Sequence, residues 1–436
     1  MRPNLKSLTR SLKHRNYRLY FLGQSISLVG TWMQQIAMSW LVYQMTGSSF
    51  KLGLVLFCGQ IPILFLSPLA GVYVDHWNRH KMLMLTQGLS MAQAFLLAFL
   101  GLTGHIEVWQ VMILSLFLGM INAFDTPGRQ AFLSDLIERR SDLANAIALN
   151  SSMMNGARLL GPSIAGALLA ATNPSVCFLV NGFSYFAVLA ALYAMQFARR
   201  DKPRHHKRLR EGLSEGFFYA LRFLPIRVIL LTVCLMSLAG SAYSVLLPEF
   251  AVHVLHGGPG TLGLLTTATG LGALCGTVSL ASRGSVVGIS KWIWSGLFLM
   301  GGCLTAMAWS QALWLALLVL AAYGFGSMTQ MAASNTLLQT IVDEDKRGRI
   351  MSFFTTALLG MAPLGSVMTG YIAETFGLVT AFMLSGGLCL LAGAIFFTAL
   401  PAMRPLIRPI YVRLNLLPAL TAGIENASEL GLMTKE

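Results

Sequence analysis

Charge is scarce in this chain. Only 11% of its residues are Asp, Glu, Lys or Arg, against 55% hydrophobic. A water-soluble protein needs far more polar surface than that. Acids are the scarcer sign: 17 Asp and Glu stand against 31 Lys and Arg, for a net charge of +14. The six cysteines (Cys58, Cys177, Cys234, Cys275, Cys303 and Cys389) fall in or beside apolar segments, and none sit at metal-ligand or redox spacing. A disulfide framework or a zinc site is therefore not expected. The sequence holds no G-x-x-x-x-G-K-[ST] phosphate loop, no zinc-hydrolase His-Glu pattern and no G-x-S-x-G elbow, so it offers little to an enzyme reading and calls for no metal and no cofactor. It also lacks a cleavable signal peptide. Six bases precede the first apolar run, but Gln24, Thr31, Gln34 and Gln35 interrupt that run, which reads as a retained first span.

What the chain has in abundance is apolar runs of about 20 residues, the length that crosses a hydrocarbon core. Twelve are read, at 19–43, 52–73, 82–103, 108–125, 145–170, 175–197, 228–252, 260–282, 290–309, 312–334, 350–374 and 378–400. The fold class is an all-α polytopic membrane protein. The runs divide the chain into an amino-terminal arm (1–18), a six-helix bundle (19–197), a basic linker with an amphipathic helix (198–227), a second six-helix bundle (228–400) and a tail (401–436). Pro401, Pro405 and Pro409 are expected to keep that tail from forming another span.

The positive charge is not a nucleic-acid signature, because its placement is one-sided. With alternating spans, 29 of the 31 bases fall in the arm, the linker, the tail and the loops on one side; the exceptions are Lys51 and Arg158. That bias places both termini in the cytoplasm, with the basic surface facing anionic headgroups of the lipid bilayer. A bacterial inner membrane suits the compact loops.

Between the second and third spans lies Gly71-Val-Tyr-Val-Asp75-His-Trp-Asn-Arg79-His-Lys81. A glycine, an aspartate four residues on and a basic cluster resemble the signature loop of the major facilitator superfamily. The two sets of six spans also look like repeats. An offset of 204 residues brings Gly156, Gly161 and Gly166 onto Gly360, Gly365 and Gly370, and Arg79 onto Arg283, while Ser279 stands where Asp75 would recur. The resemblance implies twelve transmembrane helices in two six-helix pseudo-repeats with a cavity between them. It assigns Asp75 to a cytoplasmic latch facing a helix amino end, with Arg79 bridging to an acid at the end of the fourth span, for which Asp125 is placed. The simpler account is that these are solvated loop charges. In Asn122-Ala-Phe-Asp-Thr-Pro-Gly-Arg-Gln130, Pro127 and Gly128 mark a helix end, so Asp125 and Arg129, four apart, either cap it or join the same gate.

The fifth span carries Gly156-Ala-Arg-Leu-Leu-Gly161-Pro162-Ser-Ile-Ala-Gly166. Its small residues form a packing face, and the stretch resembles the fifth-span motif of exporters in the superfamily. Arg158 is the one charge well inside a span, so it is a candidate contact for substrate or coupling unless it snorkels to the interface. Thr31, Gln34 and Gln35 of the first span either line a cavity or bond between helices. Glu249, His253 and Glu374 lie at the outer ends of their spans and read first as interfacial charges. The Arg347-Gly-Arg-Ile-Met-Ser352 run, followed by Gly360 and Pro363-Leu-Gly365, resembles the subgroup that includes the enterobactin exporter and related multidrug and macrolide efflux proteins.

That resemblance implies a secondary exporter of a small organic molecule, either a siderophore-like metabolite or an amphipathic drug. It would work by alternating access, coupled to protons, as a monomer. A lysolipid transporter or metabolite importer of the same fold is the alternative within the class. A non-transporting membrane sensor or scaffold is the alternative outside it, although such a protein has no need of the repeat symmetry.

Overall fold

The computed structural model describes residues 10–196, 219–283, 285–414 and 416–417. The amphipathic helix expected in 198–227 falls largely outside them; 219–222 are helical. Among the described residues there are no strands. Two 3-10 turns, Arg10–Lys13 and Arg140–Asp142, accompany twelve long helices. The first half holds α1 (Arg15–Thr46), α2 (Ser49–His76), α3 (Arg79–Leu102), α4 (Val108–Asp135), α5 (Leu143–Ala171) and α6 (Pro174–Tyr193). The second holds α7 (Leu224–His253), α8 (Pro259–Ala281), α9 (Ser290–Met307), α10 (Leu313–Ile341), α11 (Glu344–Phe376) and α12 (Leu378–Arg413).

Nine of these helices are long and apolar enough to cross a membrane on those grounds alone. The other three are α1, α5 and α9. The first two carry polar residues such as Gln34 and Arg158 along their length, and the third includes Lys291, Ser290 and Ser295 among its 18 residues. Large apolar side chains, including Leu22, Phe65, Phe99, Ile113, Phe183, Leu318 and Phe397, are exposed on the outside of the bundle. An outward apolar surface is what a hydrocarbon solvent selects.

The helix pairings repeat between the halves. In the first, α1 packs on α5 and α6, α2 on α4, and α3 on α4 and α6; in the second, α7 packs on α11 and α12, α8 on α10, and α9 on α10 and α12. The halves join through two further pairs, α2 with α11 and α5 with α8. The glycine register read at an offset of 204 has the same logic. A Cβ on Gly161 would strike Trp32 of α1, and one on Gly365 would strike Leu238 of α7, the first helix of its own half in each case. A Cβ on Gly166 would come within 2.8 Å of Gly263 Cα in α8, and one on Gly370 within 2.6 Å of the Ser49 carbonyl in α2, each the second helix of the opposite half.

The bundle is closed at one end. Ser49 donates to Glu249 at 2.5 Å, Ser48 donates to Glu374, and the rings of Tyr43 with His253 and Phe50 with Tyr371 meet across the halves. Midway along the bundle, Ser163 and Thr267 bond at 2.8 Å. Toward the other, basic end the halves part. That parting is seen on α5, where a Cβ on Gly156 would meet nothing within 4 Å and Ser151, Ser152 and Met154 are exposed, while at the matching depth a Cβ on Gly360 of α11 would still meet Leu64 of α2.

Two expected helix ends are corrected. The fourth helix does not stop at Pro127-Gly128; α4 continues to Asp135. Gly128 lets Met82 of α3 pack where a Cβ would stand, so neighbouring helices hold the segment that proline weakens. The last helix does not stop at 400 but runs through Pro401, Pro405 and Pro409 to Arg413. The three prolines fall on one exposed face, while Met403, Ile407 and Tyr411 bury the opposite face. Hydropathy marks where the bilayer ends; the helices go further.

Candidate functional site

The two halves enclose a central cavity lined by Trp32 and Gln35 of α1, Arg158 of α5, Tyr243 of α7, and Thr266 and Thr269 of α8. Its free volume is about 30 Å³, room for one or two waters. Arg158 lies near the middle of α5, roughly 20 Å along the axis from either helix end at 1.5 Å per residue. It does not snorkel. Its guanidinium lies 5.6 Å from the centre of the Trp32 ring, a cation–π arrangement. No carboxylate among the described residues pairs with it. The cavity thus holds a cation set against an aromatic face.

Of the polar residues singled out on the first span, Gln35 lines this cavity and Gln34 does not. Gln34 is buried, donates to Gln93 Oε1 of α3 at 3.0 Å and accepts from Asn181 Nδ2 of α6 at 2.6 Å. It ties three helices together. Thr31 bonds back to the Ser27 carbonyl at 2.9 Å and meets the Tyr185 hydroxyl at 3.5 Å, also away from the cavity. Adjacent positions on a helix point about 100° apart, so one glutamine faces the partner half and the next faces its own bundle.

The loop charges separate into two groups. The surroundings of Gly71 and the side chain of Asp75 lie outside what the structure describes, although the backbone there is helical to His76. Arg79 opens α3 behind the Asn78 cap and reaches Asp135 at 3.1 Å and the Ala131 carbonyl at 3.1 Å. Its partner at the end of the fourth helix is Asp135, not Asp125, because α4 extends past the proline and brings its true end level with the start of α3. Asp125 instead is buried in the bundle. Its Oδ2 pairs with Arg129 Nε at 2.7 Å, one helical turn on, and its Oδ1 accepts from Thr86 Oγ1 and Gln87 Nε2 at 2.8 Å each. Thr86 and Gln87 had not been singled out; two adjacent polar residues inside the apolar third span were the available signal. Asp135 would have been found by continuing the fourth helix.

The exporter-type glycines all map to α5. Gly161 sits against α1 and Gly166 against α8, Pro162 lies inside the unbroken helix, and Gly156 faces open space. Glu249, Glu374 and His253 prove to be cross-half contacts at the closed end rather than lone interfacial groups.

Matched six-helix halves around a central cavity, sealed at one end and parted at the other, define a multi-pass membrane transporter. Residues 7–407 match the model of the family described as transmembrane secretion effector, and the chain belongs to that family within the major facilitator superfamily. It is 27% identical over 369 residues to a staphyloferrin A transporter of Staphylococcus aureus, an alignment covering 84% of this chain and 92% of the relative. It is 24% identical over 380 residues to the multidrug efflux pump Tap of Mycolicibacterium fortuitum, covering 85% and 92%. Among solved structures, a bacterial homologue of the human lysosomal transporter Spinster, in an inward-facing and unoccupied conformation, superposes with a TM-score of 0.68 at 15% identity, covering 88% of this chain and 97% of that one.

Proposed function

We propose that this protein is a proton-coupled secondary exporter of a small organic anion, a siderophore-like metabolite, working by alternating access in a bacterial inner membrane with both termini cytoplasmic. The observation that carries the reading is Arg158, a mid-helix cation without a carboxylate partner among the described residues, held over Trp32 in the cavity between the halves. Desolvating a cation in a membrane bundle is costly unless a counter-charge arrives, and an anionic cargo supplies one. The names of the relatives, a siderophore transporter and an efflux pump, agree with small-molecule export. The aromatic faces of Trp32 and Tyr243 support a second reading, in which the cargo is an amphipathic drug. In either case the basic end, where the halves part, faces the cytoplasm, given the one-sided placement of bases. The cytoplasmic latch then involves Gly71, Asp75 and Arg79, with Asp135 as the far partner. The Gly161-Pro162 and Gly166 contacts of α5 form the surface on which the halves rock.

The test compares small molecules in spent medium and in cells, with and without the gene, in iron-poor growth. One metabolite should fall outside and accumulate inside. Arg158→Gln, inserted normally in the membrane, should export that metabolite roughly 10- to 100-fold more slowly, since a charge-assisted hydrogen bond contributes about 1.5–3 kcal/mol. Native-rate export by Arg158→Gln sinks the anion reading. Identical metabolite profiles in the two strains leave the drug reading.

A further inference from the structure

The buried pair Asp125–Arg129 has no part in cargo binding or in the latch as drawn above. We infer that Asp125 is the proton-carrying acid of the transport cycle, with Arg129 as its counterion and Gln87 as the side chain that adapts to both protonation states. The inference deepens the proton-coupled export reading and rests on it.

Asp125 is 2% exposed and lies ten residues inside the end of α4, about 15 Å along the helix axis. It is the last residue of the apolar run 108–125, turned into the bundle near the basic end, and ionisable groups that face a bundle interior mark ion pathways. A buried ion pair is a poor device for stability alone, because apolar side chains of similar volume commonly do as well or better. In the structure Asp125 accepts from three donors, Arg129 Nε, Thr86 Oγ1 and Gln87 Nε2. That is the surrounding of an ionised carboxylate.

The neighbours also suit the neutral acid. Gln87 Oε1 is buried and has no hydrogen-bond partner. A half-turn of the amide would replace its N–H on the carboxylate with this orphaned oxygen, which can accept from a carboxylic acid O–H. Thr86 Oγ1 also lies 3.1 Å from the Leu83 carbonyl and can donate there when the aspartate no longer accepts. Thr86 thus has an acceptor in either state of Asp125, and Gln87 can present it with a donor or an acceptor. Arg129 keeps 21% of its side-chain surface exposed, so the pair is open to solvent on the arginine's side.

Tyr20 of α1 and Tyr185 of α6 are the titratable side chains that share the electrostatic surroundings of Asp125 with Arg129. From α3 the neutral Thr86 and Gln87 bond to the aspartate, and the titratable His80 packs further along α4, against Phe132. Arg158 of α5 lines the central cavity instead, and the charged side chain described on α2, Lys51, is at the closed end.

The step itself is simple. A proton taken from the outer water forms an O–H bond on Asp125 and breaks the ion pair with Arg129, which keeps its charge. Release of that proton to the inner water restores the pair. The structure, open at the basic end and with Asp125 accepting from three donors, has the geometry that follows release.

Infrared difference spectroscopy of the purified full-length protein in lipid tests the assignment by proton titration without cargo. Acidification should produce a carboxylic acid C=O band that Asp125→Asn removes and Asp135→Asn retains, with the amide I band unchanged in both. In Arg129→Gln the band should appear at higher pH, because the cation opposing protonation is gone. A band that persists unchanged in Asp125→Asn, or a midpoint unmoved in Arg129→Gln, overturns the inference. Export itself separates the two readings. Native export that ignores a protonophore removes proton coupling, and the assignment with it. Native export that collapses with the gradient, while Asp125→Asn exports normally and remains equally sensitive, removes only the assignment of Asp125.

Discussion

Replacing Gly166 with valine should pry open the closed end. A Cβ at this position would come within 2.8 Å of Gly263 Cα and 3.5 Å of the Gly260 carbonyl, and the nearer obstacle is backbone that cannot swing aside. Overpacking of this kind costs about 1–3 kcal/mol. The strain exists only while α5 and α8 touch at the closed end, so the whole amount becomes a difference between conformations. A difference of 1–3 kcal/mol shifts an equilibrium roughly 5- to 150-fold. Spin labels on Thr172→Cys and Gly258→Cys, at the closed-end termini of these helices in a cysteine-free background, read the separation by electron double resonance. In Gly166→Val the distance distribution should move to longer values, and Gly166→Ala should move it less. Gly156→Val is the control, since its side chain enters open space. An unmoved distribution in Gly166→Val, or an equal shift in Gly156→Val, refutes the idea that this backbone contact is the seal.

Gln34 and Gln35 should fail in different assays. Gln34→Leu strips partners from Gln93 and Asn181 and should lower the melting temperature in detergent, at about 0.6–1.7 kcal/mol for each lost bond. Gln35→Leu should melt normally and lose export; indistinguishable melting curves for the two would count against this division. At the basic end, hydrogen bonding from His14 and then the nearby charge of Arg10 hold the Asp142 carboxyl below its usual range. A depressed pKa stabilises the fold above the unfolded value, and that contribution is lost as pH falls through the folded value. Melting temperature should therefore drop on acidification below the ordinary aspartate range, with a smaller drop in Asp142→Asn. Parallel curves for the two proteins would remove this contribution.

The twelve spans and the pairing of halves were legible because both follow from local rules: an apolar run as long as the bilayer is thick, and a glycine wherever backbones must touch. Arg158 was legible for a related reason, since one charge in a long apolar run needs a cavity. What was not legible depended on neighbours. Pro127 and Pro401 end helices in water, where a freed carbonyl is readily solvated, and fail to end them where packing holds the chain. The partner of Arg79 was misplaced for the same reason, since a fourth helix cut at Pro127 leaves Asp125 as its last acid. The choice between Gln34 and Gln35 required knowing which face of α1 meets the second half. The role of Gln87 shows only in its orphaned oxygen.

The crossed glycine contacts bear on how the molecule is made. Each half offers its fifth helix to the second helix of the other, so neither half completes its own packing. A chain emerges from the ribosome amino end first, and Gly166 enters the membrane long before Gly263 has been translated. Until α8 and α11 arrive, the bare backbone of α5 and the Ser49–Gly53 start of α2 have only lipid beside them. The second half is thus a folding partner carried on the same chain, and a defect at Gly263 would be felt first by a half-molecule that contains no altered residue.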